Sequence, residues 1–118
     1  RFQGNEGELV PANVSKLIVN PGIRVLPTDL CYDYQHLREV TLPEGLTKIG
    51  IHAFGLCQSL LEINICSTVE SIGHSAFMSC QRLTKVEFGY SSSSPHQLKT
   101  IICEKAFYCC FSLQRIKI

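Results

Sequence analysis

The sequence lacks an excess of charge of either sign and any concentrated basic segment. Its 118 residues carry a formal net charge of +1, and charged residues make up 18% of them. Nucleic acids and anionic membrane surfaces usually bind concentrated basic faces, so we expect neither as a partner. The 45% content of hydrophobic residues excludes the composition typical of disordered chains, and the length favours one domain.

Long hydrophobic runs are also absent. Segments such as KLIVN and LLEINIC contain only a few apolar residues in succession, far fewer than the roughly 20 that cross a bilayer. We therefore expect no membrane insertion. The chain begins at Arg1 without a basic segment and an apolar core, and it ends on the strand-like RIKI. We expect it to be a fragment of a longer protein, with any targeting signal outside this sequence.

Catalytic motifs are missing too. The sequence contains no phosphate-binding glycine loop, no G-x-S-x-G motif and no convergent pair of acids. We expect no enzyme activity, no catalytic residues and no cofactor. The seven cysteines are an odd number, so they cannot all form intramolecular disulfides.

What the sequence does contain is an internal repeat. The pattern I-G-x-x-A-F-x-x-C-x-x-L occurs at positions 49–60 and returns at positions 72–83. A third copy follows after a longer interval, at positions 102–113, with Cys103 in place of the glycine. The additional residues of that interval fall around GYSSSSPHQ, whose composition predicts a loop inserted near residues 89–97.

Weaker copies precede the first clear one. One period earlier, Cys31 occupies the phenylalanine position and Tyr34 the cysteine position, and the period before that begins at Val14. Residues 14–118 thus form four to five units, while residues 1–13 fit no unit. We interpret residues 1–13 as an N-terminal cap or linker, since terminal repeats are usually atypical.

Each unit combines two kinds of segment. REVTL, LEINI, KVEF and QRIKI alternate apolar and polar residues, which is typical of half-buried strands. A turn and a second short extended piece ending in Ile-Gly follow, and A-F-x-x-C-x-x-L is then interpreted as one short helical turn. One such coil cannot bury its apolar residues alone, so about three or more must stack as a solenoid.

This pattern resembles the BspA-type leucine-rich repeat family. The resemblance implies an α/β solenoid, the right-handed horseshoe or superhelix of leucine-rich repeats, mainly β in content with short helical turns. The asparagine of the commonest leucine-rich repeat is replaced by Gly45, Thr68 or Ser91, so no asparagine ladder is expected. The predicted core comprises Leu17, Val40, Leu42, Ile49, Phe54, Leu60, Ile63, Ile65, Ile72, Phe77, Leu83, Val86, Phe88, Phe107, Leu113 and Ile116.

The recurring cysteines are Cys57, Cys80 and Cys110. Stacked coils repeat at about 4.7–4.9 Å, so we interpret these residues as an interior row of small apolar side chains. That spacing also permits a disulfide, although a row of three leaves one cysteine unpaired. A nucleophile would need an adjacent base, yet His52 and His74 precede the predicted turn. Zinc would need four ligands, so no metal site is predicted.

The outward side chains of the main strands form the candidate partner-binding face. Its alternating charges also fit cross-strand pairs, such as Glu62 with Lys85 and Glu87 with Lys117, worth roughly 0.2–1 kcal/mol each. The residues assigned to this face are Lys16, Glu39, Thr41, Glu62, Asn64, Lys85, Glu87, Arg115 and Lys117.

The resemblance implies a non-catalytic protein-interaction module for recognition or adhesion, with a protein partner of unknown identity. It also implies a location at the cell surface or outside the cell. The principal alternative is a structural spacer or a self-assembling repeat array, because open coils leave strand edges that favour end-to-end association. A third interpretation is a cysteine-based redox or metal protein, which rapid labelling of Cys57 and Cys80 by a thiol reagent would favour over the interior row.

Overall fold

A computed structural model describes residues 2–5, 7–89 and 101–117 of the chain. The strands are short, because each unit contributes only a few extended residues before the chain turns. In these described residues they are β1 (Lys16–Ile18), β2 (Val25–Leu26), β3 (Glu39–Thr41), β4 (Lys48–Ile49), β5 (Glu62–Ile65), β6 (Ser71–Ile72), β7 (Lys85–Phe88), β8 (Ile101–Ile102) and β9 (Arg115–Lys117).

All strand pairs are parallel and join equivalent positions of successive units. One sheet has the order β2-β4-β6-β8, a second β1-β3 and a third β5-β7-β9. In the four-stranded sheet Ile49 pairs with Ile72, one period later, and Ile72 pairs with Ile102 across the longer interval. The predicted loop therefore lies between β7 and β8, but its residues 90–97 fall outside the described residues.

The predicted short helical turns are wrong. In the described residues the A-F-x-x-C segments contain turns and no helix. Successive N–H groups donate alternately within the turn and to the next unit. The Ala53 N–H donates to the Gly50 carbonyl of its own turn at 3.2 Å, whereas the Phe54 N–H donates to the Ala76 carbonyl of the next unit at 2.8 Å. A helix would direct every N–H back along its own chain, so this segment instead builds a hydrogen-bond ladder between units.

Residues in the left-handed backbone conformation direct their N–H groups toward the next unit. His52 and Leu56 have φ values of 56° and 58°, and their N–H groups donate to His74 and Met78 of the next unit at 3.1 and 2.7 Å. The equivalent residues repeat the conformation, and each non-glycine residue at such angles costs about 1–2 kcal/mol. These residues are Asp29, Asp33, His52, Leu56, Ser75, Ser79, Lys105 and Cys109. The degenerate unit at residues 25–34 therefore shares the backbone geometry of the others.

The core lies between the sheets and the turn ladder. Of the predicted core, Val40, Phe107 and Leu113 are only half-buried, the side chain of Ile116 is outside the described part, and the remaining members are buried. The phenylalanine rings stack, with centroids 5.4 Å apart for Phe54 and Phe77 and 5.2 Å for Phe77 and Phe107. Aromatic pairs at such distances contribute about 0.5–1.5 kcal/mol beyond their burial.

At the position of the asparagine in the commonest leucine-rich repeat, the side chain of Thr68 links two units. Thr68 Oγ1 accepts the Gly45 N–H at 3.1 Å and donates to the Leu46 carbonyl at 2.8 Å. A single hydroxyl thus serves one donor and one acceptor of the preceding unit, as its chemistry allows.

The N-terminal segment packs against the first unit. Phe2 bridges Val19 in parallel, and both Phe2 and Val10 are buried in the core. The Tyr34 hydroxyl donates to the Val10 carbonyl. No helix long and apolar enough to span a bilayer occurs among residues 2–5, 7–89 and 101–117.

Candidate partner-binding face

The candidate face is formed by strands β1, β3, β5, β7 and β9. Their alternation places Ile63 and Ile65 in the core, while Glu62 and Asn64, which alternate with them along the strand, point outward and are exposed. The register aligns the predicted residues in rows: Lys16 with Glu39, Glu62 with Lys85 and Arg115, and Asn64 with Glu87 and Lys117.

The structure describes the predicted site residues unevenly. Lys16, Glu39 and Thr41 are exposed like Glu62 and Asn64, whereas Lys85 and Glu87 are half-buried. Only the backbone of Arg115 and Lys117 is described. Across β5, β7 and β9 the rows are continuous, whereas β3 and β5 lie next to each other without ladder pairing; the Leu61 N–H still donates to the Arg38 carbonyl at 3.4 Å just before the two strands.

Two depressions open along the break between β3 and β5, and together we call them the β3–β5 groove. One has a volume of about 640 Å³ and the other about 440 Å³. Val40, Thr41 and Asn64 line both, so the depressions adjoin at this point. The remaining lining residues are Leu42, Glu44, Ile65, Cys66, Glu87, Phe88 and Gly89 in the larger one and Arg38, Glu39, Leu61 and Glu62 in the smaller one.

The groove combines an apolar floor with a charged rim. Buried Ile65 and Phe88 and exposed Glu44 line the larger depression, and exposed Glu62 lines the smaller one. Apolar surface framed by polar groups is the usual arrangement of a protein-binding patch. The sequence identified several rim residues but not the depression, because strand alternation does not reveal where ladder pairing between neighbouring strands is interrupted.

One of the two predicted ion pairs on this face is replaced by another, and the predicted partner of Glu87, the Lys117 side chain, lies outside the described part of the chain. Lys85 Nζ lies 3.2 Å from the Glu87 carboxylate in the same strand and not within pairing distance of Glu62. Residues two apart in a strand share a face, so the long lysine side chain reaches its own neighbour. A second pair joins Lys16 and Glu39 at 3.8 Å. Both pairs are solvent-accessible, and such pairs contribute about 0–1 kcal/mol.

A second polar cluster lies on the turn side. His52 Nδ1 is 3.4 Å from the Asp29 carboxylate, and the His52 ring lies near those of Tyr32 and His74, with centroids 5.6 and 6.1 Å apart. In the part of the chain that the structure describes, no group of three or more His, Cys, Asp or Glu side chains has a geometry that could hold a metal ion.

The recurring cysteines line the interior, as the interpretation of a row requires. Cys57 and Cys80 are fully buried and Cys110 is half-buried, and all are free thiols. Each sulfur also contacts a carbonyl of the preceding unit, which the sequence did not predict. The distances are 3.1 Å from Cys57 Sγ to the Cys31 oxygen, 3.2 Å from Cys80 Sγ to Phe54 and 3.0 Å from Cys110 Sγ to Phe77.

Burial governs the acidity of these thiols. It raises the pKa of Cys57 to about 12 and also raises the pKa of Cys31. A buried thiolate is disfavoured by desolvation, so both groups remain protonated donors at neutral pH. His52 is half-exposed and contacts Asp29, while Cys57 Sγ contacts a backbone carbonyl, so these contacts give no Cys-His catalytic arrangement.

Comparisons with known proteins agree with this repeat architecture. Residues 25–118 match a family model described as the BspA type leucine-rich repeat region, in six copies. The crystal structure of a T. pallidum leucine-rich repeat protein resembles the chain with a TM-score of 0.64 and 23% sequence identity. The similarity covers 87% of this chain and 57% of that one. A search of curated proteins found no match.

Proposed function

Because the chain belongs to the BspA-type leucine-rich repeat family, we propose that it is a non-catalytic protein-interaction module that serves recognition or adhesion. Its units wind as a right-handed solenoid and present the strand face to a protein partner. The parallel pairing of equivalent positions in successive units supports this winding. We assign the partner to the strand face because extended solenoid surfaces commonly bind partners.

The β3–β5 groove is the observation that carries this proposal. It places Thr41 and Asn64 on both depressions, beside buried Ile65 and Phe88 in the larger one and exposed Glu62 in the smaller one. An apolar anchor of a partner side chain would fill the larger depression, and the polar rim would pair with the surrounding groups, as at other protein interfaces.

The proposal predicts that filling the groove weakens partner capture. In the double variant Thr41→Arg/Asn64→Arg, two long cationic side chains would occupy the point where the depressions adjoin. We expect at least about a tenfold loss of the captured partner, equivalent to about 1.4 kcal/mol of binding free energy. The measurement is quantitative affinity capture from the extract and medium of the source cell, with the immobilised protein as bait.

A matched control carries the same charge change elsewhere. Thr28→Arg/Gln81→Arg replaces an exposed threonine and an exposed amide outside the strand face and is expected to capture the partner as the wild type does. Equal capture by the groove variant and the wild type would contradict the assignment of this face, provided that both variants unfold at the wild-type denaturant concentration.

Self-association is the second candidate function. In the last described unit Phe111 is 77% exposed and Tyr108 51%, beside exposed Ile102. A second copy seated there would cover this apolar surface. We expect a molar mass that rises with concentration in sedimentation measurements, and a monomer for Phe111→Glu. Ile51→Glu, a control at an apolar residue of similar chemistry in an inner unit, should leave the association intact, and a wild type that stays monomeric at all concentrations would exclude it.

A further inference from the structure

Cys80 and Cys110 are free thiols at the same repeat position of neighbouring units. Each sulfur donates to a carbonyl of the unit before its own, Cys80 to Phe54 at 3.2 Å and Cys110 to Phe77 at 3.0 Å. Cys80 is fully buried, whereas Cys110 is half-buried and accessible from solvent. The pair therefore combines an accessible sulfur with a protected one behind it.

The backbone around this pair has the spacing that a disulfide requires. The Phe77 N–H donates to Ala106 and the Ser79 N–H to Tyr108, both at 2.7 Å. These bonds hold the two units at the distance of neighbouring strands, about 4.7–4.9 Å. That spacing lies within the Cα separation of about 4.4–6.8 Å that disulfides span.

The two thiols differ in acidity. The neighbouring Cys80 thiol lowers the pKa of Cys110, and the neighbouring Cys110, together with burial, raises the pKa of Cys80. Cys57 occupies the equivalent position one unit earlier, but it is fully buried and its pKa is raised.

We propose that Cys110 and Cys80 are an oxidisable dithiol whose substrate is a low-molecular-weight disulfide. The Cys110 thiolate attacks one sulfur of the small disulfide, forms a mixed disulfide and releases one small thiolate. Cys80 then attacks the Cys110 sulfur as its proton passes to the departing small thiolate, which forms the Cys80–Cys110 bond and releases the second small thiol. The protein loses two electrons and two protons, and the small disulfide becomes two thiols.

The resulting bond would fix the last described unit to the one before it. It closes the loop that runs from position 80 to position 110, and cross-linking such a loop restricts the unfolded chain. We expect the oxidised protein to melt on the order of 10 °C higher than the reduced protein, with reversal by dithiothreitol. A melting temperature that does not rise would contradict this locking role.

The test uses dithiobis(nitrobenzoate), an aromatic disulfide, on the folded chain carrying Cys66→Ser, Cys103→Ser and Cys109→Ser to remove the other accessible thiols. We expect the pair to release two thionitrobenzoate ions, to retain no adduct, and to yield a Cys80–Cys110 cross-linked peptide by mass mapping. Adding Cys80→Ala should stop the reaction at a stable adduct on Cys110.

Cys57→Ala in the same background is the matched control, because it removes the equivalent buried thiol and should leave the cross-link unchanged. A stable adduct on Cys110 while Cys80 is present, a native cross-link between any other pair, or no reaction at Cys110 would each overturn the proposal. The result is independent of partner capture, so failure of the dithiol and failure of the binding function are distinguishable.

Discussion

Replacing Phe77 with alanine is expected to lower the free energy of unfolding by about 3–5 kcal/mol. The ring is fully buried and lies between Phe54 and Phe107, stacked on both at centroid distances of 5.4 and 5.2 Å. The turn ladder holds the units at a fixed spacing, so the surrounding backbone cannot close the cavity. Because domains of this size are stable by about 5–15 kcal/mol, this change removes a large part of the total.

Equilibrium denaturation in urea measures this loss through the midpoint concentration and slope. Phe111→Ala is the matched control, since it removes the same ring from a site that is 77% exposed; its effect should stay within about 0.5 kcal/mol. Phe107→Ala should fall between the two, because Phe107 is half-buried. Equal losses for Phe77→Ala and Phe111→Ala would show that the ring stack does not organise the core.

The repeat determines which residues are buried, and that much follows from spacing alone. Ile63 and Ile65 alternate with polar residues, and the equivalent Val86 and Phe88 repeat the pattern in the next unit; all four side chains are buried. The departures are Val40 in an early unit and Phe107 and Leu113 in the last described unit, all of which are only half-buried. A pattern of residue types indicates which face is apolar, but the number of neighbours covering it is a property of the assembled units.

The turn conformation could not be predicted in the same way. Leu56 and Lys105 have φ values of 58° and 60°, although neither side chain favours positive φ. The conformation is compensated by hydrogen bonds to the next unit, such as Leu56 N–H to Met78 at 2.7 Å. Those partners are distant in sequence, so a local pattern of apolar residues indicated a helical turn where the structure contains a ladder.

The candidate face illustrates the same limit. Thr41 and Asn64 occupy equivalent positions, and alternation correctly places both outward. Their role in lining a groove depends on the absence of ladder pairing between β3 and β5, although β3 and β5 carry the same alternating pattern. A cross-strand pairing rule predicted Glu62 with Lys85, whereas the flexible lysine pairs with Glu87, because surface ion pairs are weak enough for side-chain reach to decide them.

Glycine at the Ile-Gly position has a steric reason that leads to the second large prediction. A Cβ atom on Gly73 would lie 2.7 Å from both the Gly50 carbonyl carbon and the Ile51 nitrogen. Those atoms are backbone of the preceding unit and cannot rotate away. The Gly73 N–H donates to Ile49 at 2.8 Å, so the two units are also held together by a hydrogen bond at this contact.

We therefore expect Gly73→Ala to lower the free energy of unfolding by about 1–3 kcal/mol or more, as overpacking does, because the added methyl group must push two hydrogen-bonded units apart. Gly55→Ala is the matched control: its Cβ would lie 3.0 Å from the Tyr32 ring, a partly exposed side chain that can move aside. Urea denaturation of both variants compares them directly. Equal losses of unfolding free energy in the two variants would contradict this explanation. They would show that the close approach of the two units is not the reason for a glycine at position 73.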